Sequence, residues 1–97
     1  MAQVAEQAQR QTRADHYLDY LLGEWAAIPD LAAEWTAWDE DDRLDFVLEW
    51  PIREDRLLQL QAWDATDLLT AEQRRRYAAL QRLIQRHRPT LERLLAE

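Results

Sequence analysis

The sequence predicts an all-α fold: a small bundle of four to five helical segments in up-and-down order. One of its 97 residues is glycine, so the chain has little of the residue that hairpin turns need most. Alanine and leucine, both strong helix formers, are its commonest residue types. Apolar residues also recur at three- and four-residue steps, the spacing that places side chains on one helical face.

The chain is expected to begin with an extension outside the bundle. Residues 1–13 are polar and rich in alanine and glutamine, and Val4 is their one large apolar side chain. A helix of this length with no face to bury is marginal in water. Residues 1–13 are therefore predicted to form a frayed extension, and residues 14–97 a single helical domain.

Two helices are predicted to follow. The first packed helix is expected over about Ala14–Ala27, and Pro29 ends it because proline disfavours helical geometry in the residue before it. Pro29 also suits the first turn of a short second helix over about Pro29–Trp38, since a first-turn N–H needs no partner within the helix. The acidic run that comes next opens a third helix, with Asp39 or Asp41 as its N-cap.

The third helix is predicted to continue to Trp63 with a kink at Pro51, where the proline ring removes one backbone hydrogen bond. A loop over Asp64–Asp67 follows it. Thr70 and Gln73 then have the spacing of a capping box, in which each side chain bonds the backbone N–H of the other residue.

The last long helix carries a regular apolar seam. Its members are Tyr77, Leu80, Ile84, His87, Leu91 and Leu94. A seam with this period packs at a shallow angle against another helix. Pro89 is expected to interrupt the helix, with Thr90 capping a short final segment.

Several chemistries are excluded by residues that the chain lacks. It contains no cysteine, serine, lysine or asparagine. Disulfides, thiolate metal sites, serine nucleophiles, Schiff-base lysines and phosphate-loop lysines are excluded with them. The sequence therefore predicts a protein that is not an enzyme and that uses no cofactor, metal or small-molecule substrate.

Carboxylates and histidines are the remaining candidates for a metal site. Asp41, Asp45 and Glu49 lie one helical turn apart, but spacing alone is weak evidence for a hard cation, and a solvated acidic stripe is favoured. His16 and His87 lack the glutamate three residues earlier that a di-iron bundle needs.

Charge is distributed unevenly along the chain. The net charge of −7 divides into +1 for residues 1–13, −12 for residues 14–67 and +4 for residues 68–97. The favoured interpretation is that the last helix lays its arginines against the acidic helices. The alternative is an acidic surface that occupies a basic groove on a partner, as an antitoxin or a nucleic-acid mimic does. Because the whole chain is acidic, binding to nucleic acid itself is not expected.

The sequence also predicts a cytoplasmic protein that does not bind membranes. No stretch approaches the roughly 18–20 apolar residues of a membrane span, and the N-terminus does not resemble a signal peptide. Residues encoded by AT-rich codons are scarce, which indicates a bacterial genome of high GC content.

Five tryptophans, each beside an acid, are the most unusual feature of the composition. The favoured interpretation places the rings in the core. Trp35 and Trp38 are candidates for exposed anchors, because a ten-residue helix can hardly bury two indoles. Together with Asp41, Asp42 and Asp45 they form the predicted partner-binding site. The predicted function is protein–protein interaction, as a homo-oligomer or an accessory subunit, and the alternative is an acidic regulator that neutralises a basic partner.

Overall fold

The computed structural model describes residues 2–96, with side chains from Val4 onward, and it confirms an all-α bundle. Its elements are α1 (Ala2–Ala26), α2 (Ile28–Glu34), a 3₁₀ turn (Trp35–Ala37), α3 (Glu40–Ala65) and α4 (Ala71–Leu95). Met1 and Glu97, at the outer ends of the two predicted segments, lie outside the described residues. Between residues 2 and 96, no helix joins enough length with enough apolar character to cross a membrane.

The bundle is long and flat, with extents of 52 × 24 × 17 Å. Its radius of gyration is 15.5 Å, against about 12–13 Å for a compact domain of this length. The shortest extent is less than two helix diameters of about 10 Å. In a bundle this thin, each long helix keeps one side in solvent.

The first helix is longer than predicted. It begins at Ala2, so the predicted start of the helix near Ala14 was wrong, whereas the division into an extension and a domain stays a prediction. Gln73 Nε2 on α4 donates hydrogen bonds of 3.0 Å to the Gln11 carbonyl oxygen and to Asp15 Oδ1. This link holds α1 against α4 ahead of the predicted boundary, and no local pattern reveals it. Fraying of the extension stays a prediction.

Two prolines lie inside continuous helices. α3 runs across Pro51, as predicted. α4 also runs across Pro89, so the predicted interruption and the new cap at Thr90 were wrong. Leu91 and Leu94, beyond the proline, are buried. Their burial favours a continuous helix and offsets the local cost of the proline, which is about 3 kcal/mol.

The capping box at the start of α4 is confirmed. Thr70 Oγ1 accepts a hydrogen bond of 3.1 Å from the Gln73 amide, and the Thr70 amide donates one of 2.9 Å to Gln73 Oε1. α3 begins after Asp39, one of the two predicted N-caps, but the Asp39 side chain makes no capping hydrogen bond. Three carboxylates in its first turn stabilise the positive end of the helix dipole instead.

The end of α3 is closed by a Schellman motif. The Leu68 amide donates to the Trp63 carbonyl oxygen at 2.8 Å, and the Asp67 amide donates to the Asp64 carbonyl oxygen at 3.1 Å. Asp67 has a φ of 60° and occupies the position at which helices usually place glycine. The predicted loop therefore begins after Ala65, slightly later than expected.

The core draws on all four helices and on the loop before α4. Its buried members are Ala14, Leu18, Leu21, Trp25, Ile28, Trp50, Leu60, Trp63, Leu69, Tyr77, Leu80 and Leu91. The predicted seam on α4 faces this core. Ile84 and His87, at the middle of the seam, are half-buried.

An arginine seals the contact between α1 and α3. The Arg53 guanidinium carbon lies 5.1 Å from the ring centroid of Trp50, 5.5 Å from that of Phe46 and 5.8 Å from that of Tyr20. Its Nη2 also lies 3.3 Å from Glu24 Oε1, and the side chain is 11% exposed. This half-buried cation stabilises the contact between α1 and α3 through the faces of the rings.

Ionisation of Tyr77 is expected to lower the stability of the fold at alkaline pH. Burial raises the pKa of the Tyr77 phenol, and the Asp64 carboxylate raises it further, against a smaller lowering by a hydrogen bond with Gln81. The folded pKa thus exceeds the unfolded value of about 10. The stability that the neutral Tyr77 phenol contributes is complete below the unfolded pKa, and it is lost as the pH rises through the folded pKa.

We therefore expect the free energy of unfolding to fall more steeply in the wild type than in Tyr77→Phe at alkaline pH. Urea unfolding followed by circular dichroism, between about pH 8 and pH 12, measures both slopes. The remaining tyrosines are common to both chains and cancel in the comparison. Identical slopes would show that Tyr77 ionises as freely in the folded chain as in the unfolded one.

Candidate functional site

The tryptophans lie mainly in the core, as the favoured interpretation predicted. Trp25, Trp35, Trp50 and Trp63 are buried, and Trp38 is half-buried. The prediction that Trp35 is an exposed anchor was therefore wrong. Its ring centroid lies 5.6 Å from that of Phe46 and 5.8 Å from that of Trp38.

Arg43 fixes the turn that carries these two indoles. Its Nη1 donates hydrogen bonds to the carbonyl oxygens of Trp35 at 3.2 Å and Trp38 at 2.8 Å. These bonds satisfy carbonyl groups where the 3₁₀ turn ends. Phe46, one turn further along α3, supplies the apolar surface that Trp35 packs against. The turn after α2 buries the Trp35 ring and half-buries the Trp38 ring because α3 folds back beneath it.

An open groove of about 690 Å³ lies beside Trp38. Its lining consists of Ala37, Trp38, Asp39, Asp42, Asp45, Phe46, Glu49 and Arg53. Three members of the predicted site, Trp38, Asp42 and Asp45, are thus brought together. The groove has an aromatic floor, four carboxylates along its sides and one arginine at its end. Asp41 is exposed but does not line the groove.

The acidic run at the start of α3 is not neutralised within the molecule. Residues 39–49 contain six acids and one base, Arg43, whose guanidinium is engaged with backbone carbonyl groups. No ion pair among residues 4–96 involves any of these six acids.

Part of the predicted complementarity is nevertheless present elsewhere. Arg76 pairs with Asp15 and Asp19 on α1, and Arg88 pairs with Glu54 on α3. These contacts leave the first half of α3 as an acidic surface.

A stripe of apolar side chains lies on the solvent side of α3. Its members are Leu44, Leu48, Ile52 and Leu58, which are 53%, 66%, 51% and 62% exposed. On an ideal helix the four fall within an arc of about 120°. Asp41, Asp45 and Asp55, all exposed, lie among and beside them. We call these seven residues the α3 outer face.

The α3 outer face continues into a small pocket. A cavity of about 300 Å³, where the start of α3 meets the end of α4, is lined by Trp35, Glu40, Arg43, Leu44, Val47 and Leu95. Leu44 belongs both to the stripe and to the wall of this pocket. An apolar side chain of a bound segment could enter the pocket while its neighbours cover Leu48.

Covering the exposed stripe with a partner would contribute favourable free energy by removing apolar surface from water. Full burial of a leucine or isoleucine side chain contributes about 1.5–3 kcal/mol, so covering four that are already half covered would contribute roughly 3–6 kcal/mol. Contiguous exposed apolar surface bordered by polar residues is typical of a site that binds another protein.

Sequence reasoning missed the stripe. A signal was available, because residues 44–60 carry more large apolar side chains than one helical face can hold. In a bundle of this thickness, α3 is buried on one side, and the surplus remains in solvent.

The metal candidates of the sequence are not gathered into a site. Among the residues that the structure describes, no group of three or more histidine, aspartate or glutamate side chains is placed to hold a metal ion. Asp45 and Glu49 line the groove, whereas Asp41 lies outside it. His16 is exposed on α1, and His87 is half-buried on α4.

No family model, curated protein or solved structure matches this chain.

Proposed function

We propose that the protein acts by binding another polypeptide on the α3 outer face, and that the bound segment is an amphipathic helix with basic flanks. The observation that carries this proposal is the exposed apolar stripe on α3, accompanied by carboxylates that have no ion-pair partner within residues 4–96. The proposal keeps both roles predicted from the sequence, homo-oligomer and accessory subunit.

The shape of the surface favours a helix as the bound segment. Leu44, Leu48 and Ile52 repeat about once per turn along α3, and a second helix can lay its own apolar row beside them. The pocket beside Leu44 then receives one larger side chain, as grooves do when they recognise amphipathic helices.

The charge of the surface favours basic flanks. Asp41, Asp45 and Asp55 edge the stripe, and none of them has an ion-pair partner within residues 4–96. Arginine or lysine beside the apolar row of the bound helix would pair with them and would also speed association. Binding alone accounts for these features, so the proposal includes neither catalysis nor a cofactor. A cytoplasmic site of action is part of it on the sequence pattern alone.

A second candidate function is an acidic regulator that neutralises a basic protein. The observation that favours it is the groove beside Trp38, where four carboxylates surround an aromatic floor. An arginine side chain suits such a groove, because its plane stacks on an indole while its N–H groups reach carboxylates. The two candidates differ in what the partner contacts: the leucine stripe in the first, the groove in the second.

The double variant Leu48→Gln with Ile52→Gln tests the principal proposal. We expect it to lose at least about tenfold in affinity for the partner, because two apolar contacts near the centre of the interface are replaced by polar groups. Both side chains are exposed, so the free energy of unfolding should change by less than about 0.5 kcal/mol each. The measurement is affinity capture from the native host, with variant and wild type as parallel baits and urea unfolding as the check on the fold.

Val4→Gln is the matched control, because Val4 is 68% exposed and lies far along α1 from this surface. It should capture the same partner as the wild type. A partner retained by the double variant but lost by Asp42→Asn with Glu49→Gln would favour the groove and the regulator instead. A partner retained by both double variants would contradict both candidate functions.

A further inference from the structure

A second outward surface lies on α4 and carries the opposite charge. Its members are Arg75, Arg82, Arg86 and Arg93, all exposed. On an ideal helix they fall within an arc of about 40°, on the side opposite the buried seam. We call these four residues the α4 outer face.

Within residues 4–96, these four arginines form no ion pairs, unlike three other arginines of α4. Among residues 4–96, none of the four pairs with a carboxylate, whereas Arg74, Arg76 and Arg88 on the same helix all do. Arg93 donates one hydrogen bond, of 3.3 Å, to Thr90 Oγ1. The chain thus presents an unpaired acidic surface on one helix and an unpaired basic surface on another.

The two surfaces match in length. From Asp41 to Leu58 the α3 outer face extends about 26 Å, and from Arg75 to Arg93 the α4 outer face extends about 27 Å. Arginine also brings apolar surface, since its methylene stem can cover a leucine while its guanidinium reaches a carboxylate.

We propose that the α3 outer face of one copy binds the α4 outer face of a second copy. This inference rests on the proposed function and names the bound helix as α4. The row of four arginines on the α4 outer face supplies the basic groups, and their methylene stems take the place of an apolar row. The helices pair antiparallel. When Asp45 lies opposite Arg86 of the second copy, the common rise per residue brings Asp55 opposite Arg75 to within one residue. The same register sets Ile52 opposite Ala79, a small residue that leaves room for it.

The contact joins two different surfaces, so it leaves one of each free in every pair. Such a contact generates a closed ring or an open chain of copies. One pair of helix faces is a small interface, so association is expected at protein concentrations of roughly 100 μM and above.

Reversing charges tests the contact between the two outer faces more directly than varying the salt concentration does. Each copy has a net charge of −7, so salt screens the repulsion between whole copies together with the attraction between the two faces. The acid-reversed variant is Asp45→Arg with Asp55→Arg, and the base-reversed variant is Arg75→Glu with Arg86→Glu. Sedimentation velocity, between about 10 μM and about 1 mM, measures association of each variant and of their equimolar mixture.

We expect the wild type to self-associate and each reversed variant to lose at least about tenfold in association constant. The equimolar mixture should associate again, because an intact face of each variant meets an intact face of the other. A chain with both reversals should also self-associate, since its charges are exchanged rather than lost. Asp30→Arg with Glu34→Arg on α2 is the control for the acid-reversed variant. It changes the net charge by the same amount but lies away from both faces, and it should self-associate as the wild type does.

Two results overturn the inference: a wild type that stays monomeric up to about 1 mM, or association that both reversals leave unchanged. If the wild type is monomeric and the variant Leu48→Gln with Ile52→Gln loses the host partner, the proposed function holds. The inference that the bound helix belongs to a second copy is then refuted. Self-association that survives those two glutamines but not the reversal of Arg75 and Arg86 would show that the leucine stripe is not the interface, which refutes both.

Discussion

Trp25→Ala is expected to lower the free energy of unfolding by about 3–5 kcal/mol. Trp25 is 1% exposed. Its ring meets that of Trp50 edge to face, with 5.2 Å between centroids, and the Arg88 guanidinium carbon lies 5.0 Å from its centroid. Truncation removes the contacts of α1 with α3 and α4 at one point and leaves a cavity between three helices. A domain of this size is stable by about 5–15 kcal/mol, so the variant should be close to unfolding.

Trp38→Ala is the matched control for this prediction. Trp38 is half-buried and packs against Phe46 at the edge of the groove, with 6.3 Å between ring centroids. Its truncation should cost less than about 2 kcal/mol, because solvent already fills one side of the site. Urea unfolding followed by circular dichroism measures both variants without relying on indole fluorescence. Equal losses for the two would mean that Trp25 is no more central to the core than Trp38.

Gln73→Glu is expected to lower the free energy of unfolding by about 2–4 kcal/mol at neutral pH. From the sequence the change appears harmless, because glutamate is as common as glutamine at this position of a capping box. In the folded chain, however, Gln73 is buried, and its Nε2 donates to the Gln11 carbonyl oxygen and to Asp15 Oδ1. Glutamate would place a buried carboxylate oxygen against these two acceptors.

The loss in Gln73→Glu should depend on pH. The Asp15 carboxylate and the burial of the site both disfavour the charged form of Glu at this position, so its folded pKa would be raised above the unfolded value of about 4.3. The difference in stability from the wild type is then largest above the folded pKa, and it shrinks as the pH falls toward the unfolded pKa. Urea unfolding of both chains, at about pH 7 and about pH 4, measures that difference.

Asp15→Asn provides a rescue for the same variant. An asparagine amide can donate to the new carboxylate, so the chain with both changes should recover part of the stability at neutral pH. If Gln73→Glu proved as stable as the wild type at both pH values, the link from α4 to α1 would contribute nothing to the fold.

Local features of the sequence predicted most of the secondary structure. The capping box at Thr70 needed no more than the two side chains and the backbone between them, and it is present in full. α1 and α2 meet at Ala27, two residues before Pro29, and Pro29 lies in the first turn of α2 as predicted. The predicted effect of the proline on the preceding residue was wrong, because Ile28 is itself helical. At Pro89, burial of Leu91 and Leu94 outweighs the lost backbone hydrogen bond, and burial is a property of the bundle.

Three residues of the predicted binding site lie together in the fold, and binding there stays a prediction. Trp38, Asp42 and Asp45 line one groove, because residues of a helix start and of the turn before it are neighbours in any fold. Trp35 belongs to the core instead, since Arg43 and Phe46 bring α3 beneath it. The α4 outer face needed no tertiary information to align its arginines. Tertiary information was needed to show that these arginines lack carboxylate partners within residues 4–96.

The sequence by itself determined the helical fold class, the capping box at Thr70 and the surplus of apolar residues along α3, because each follows from composition or from interactions within a few residues of the chain. Only the tertiary structure decided which of those apolar residues remain in solvent. Burial depends on how many neighbours surround a helix, and Leu44, Leu48, Ile52 and Leu58 face outward because α1 and α4 pack against the other side of α3. The same packing leaves the acids of the α3 outer face and the arginines of the α4 outer face without ion-pair partners among residues 4–96.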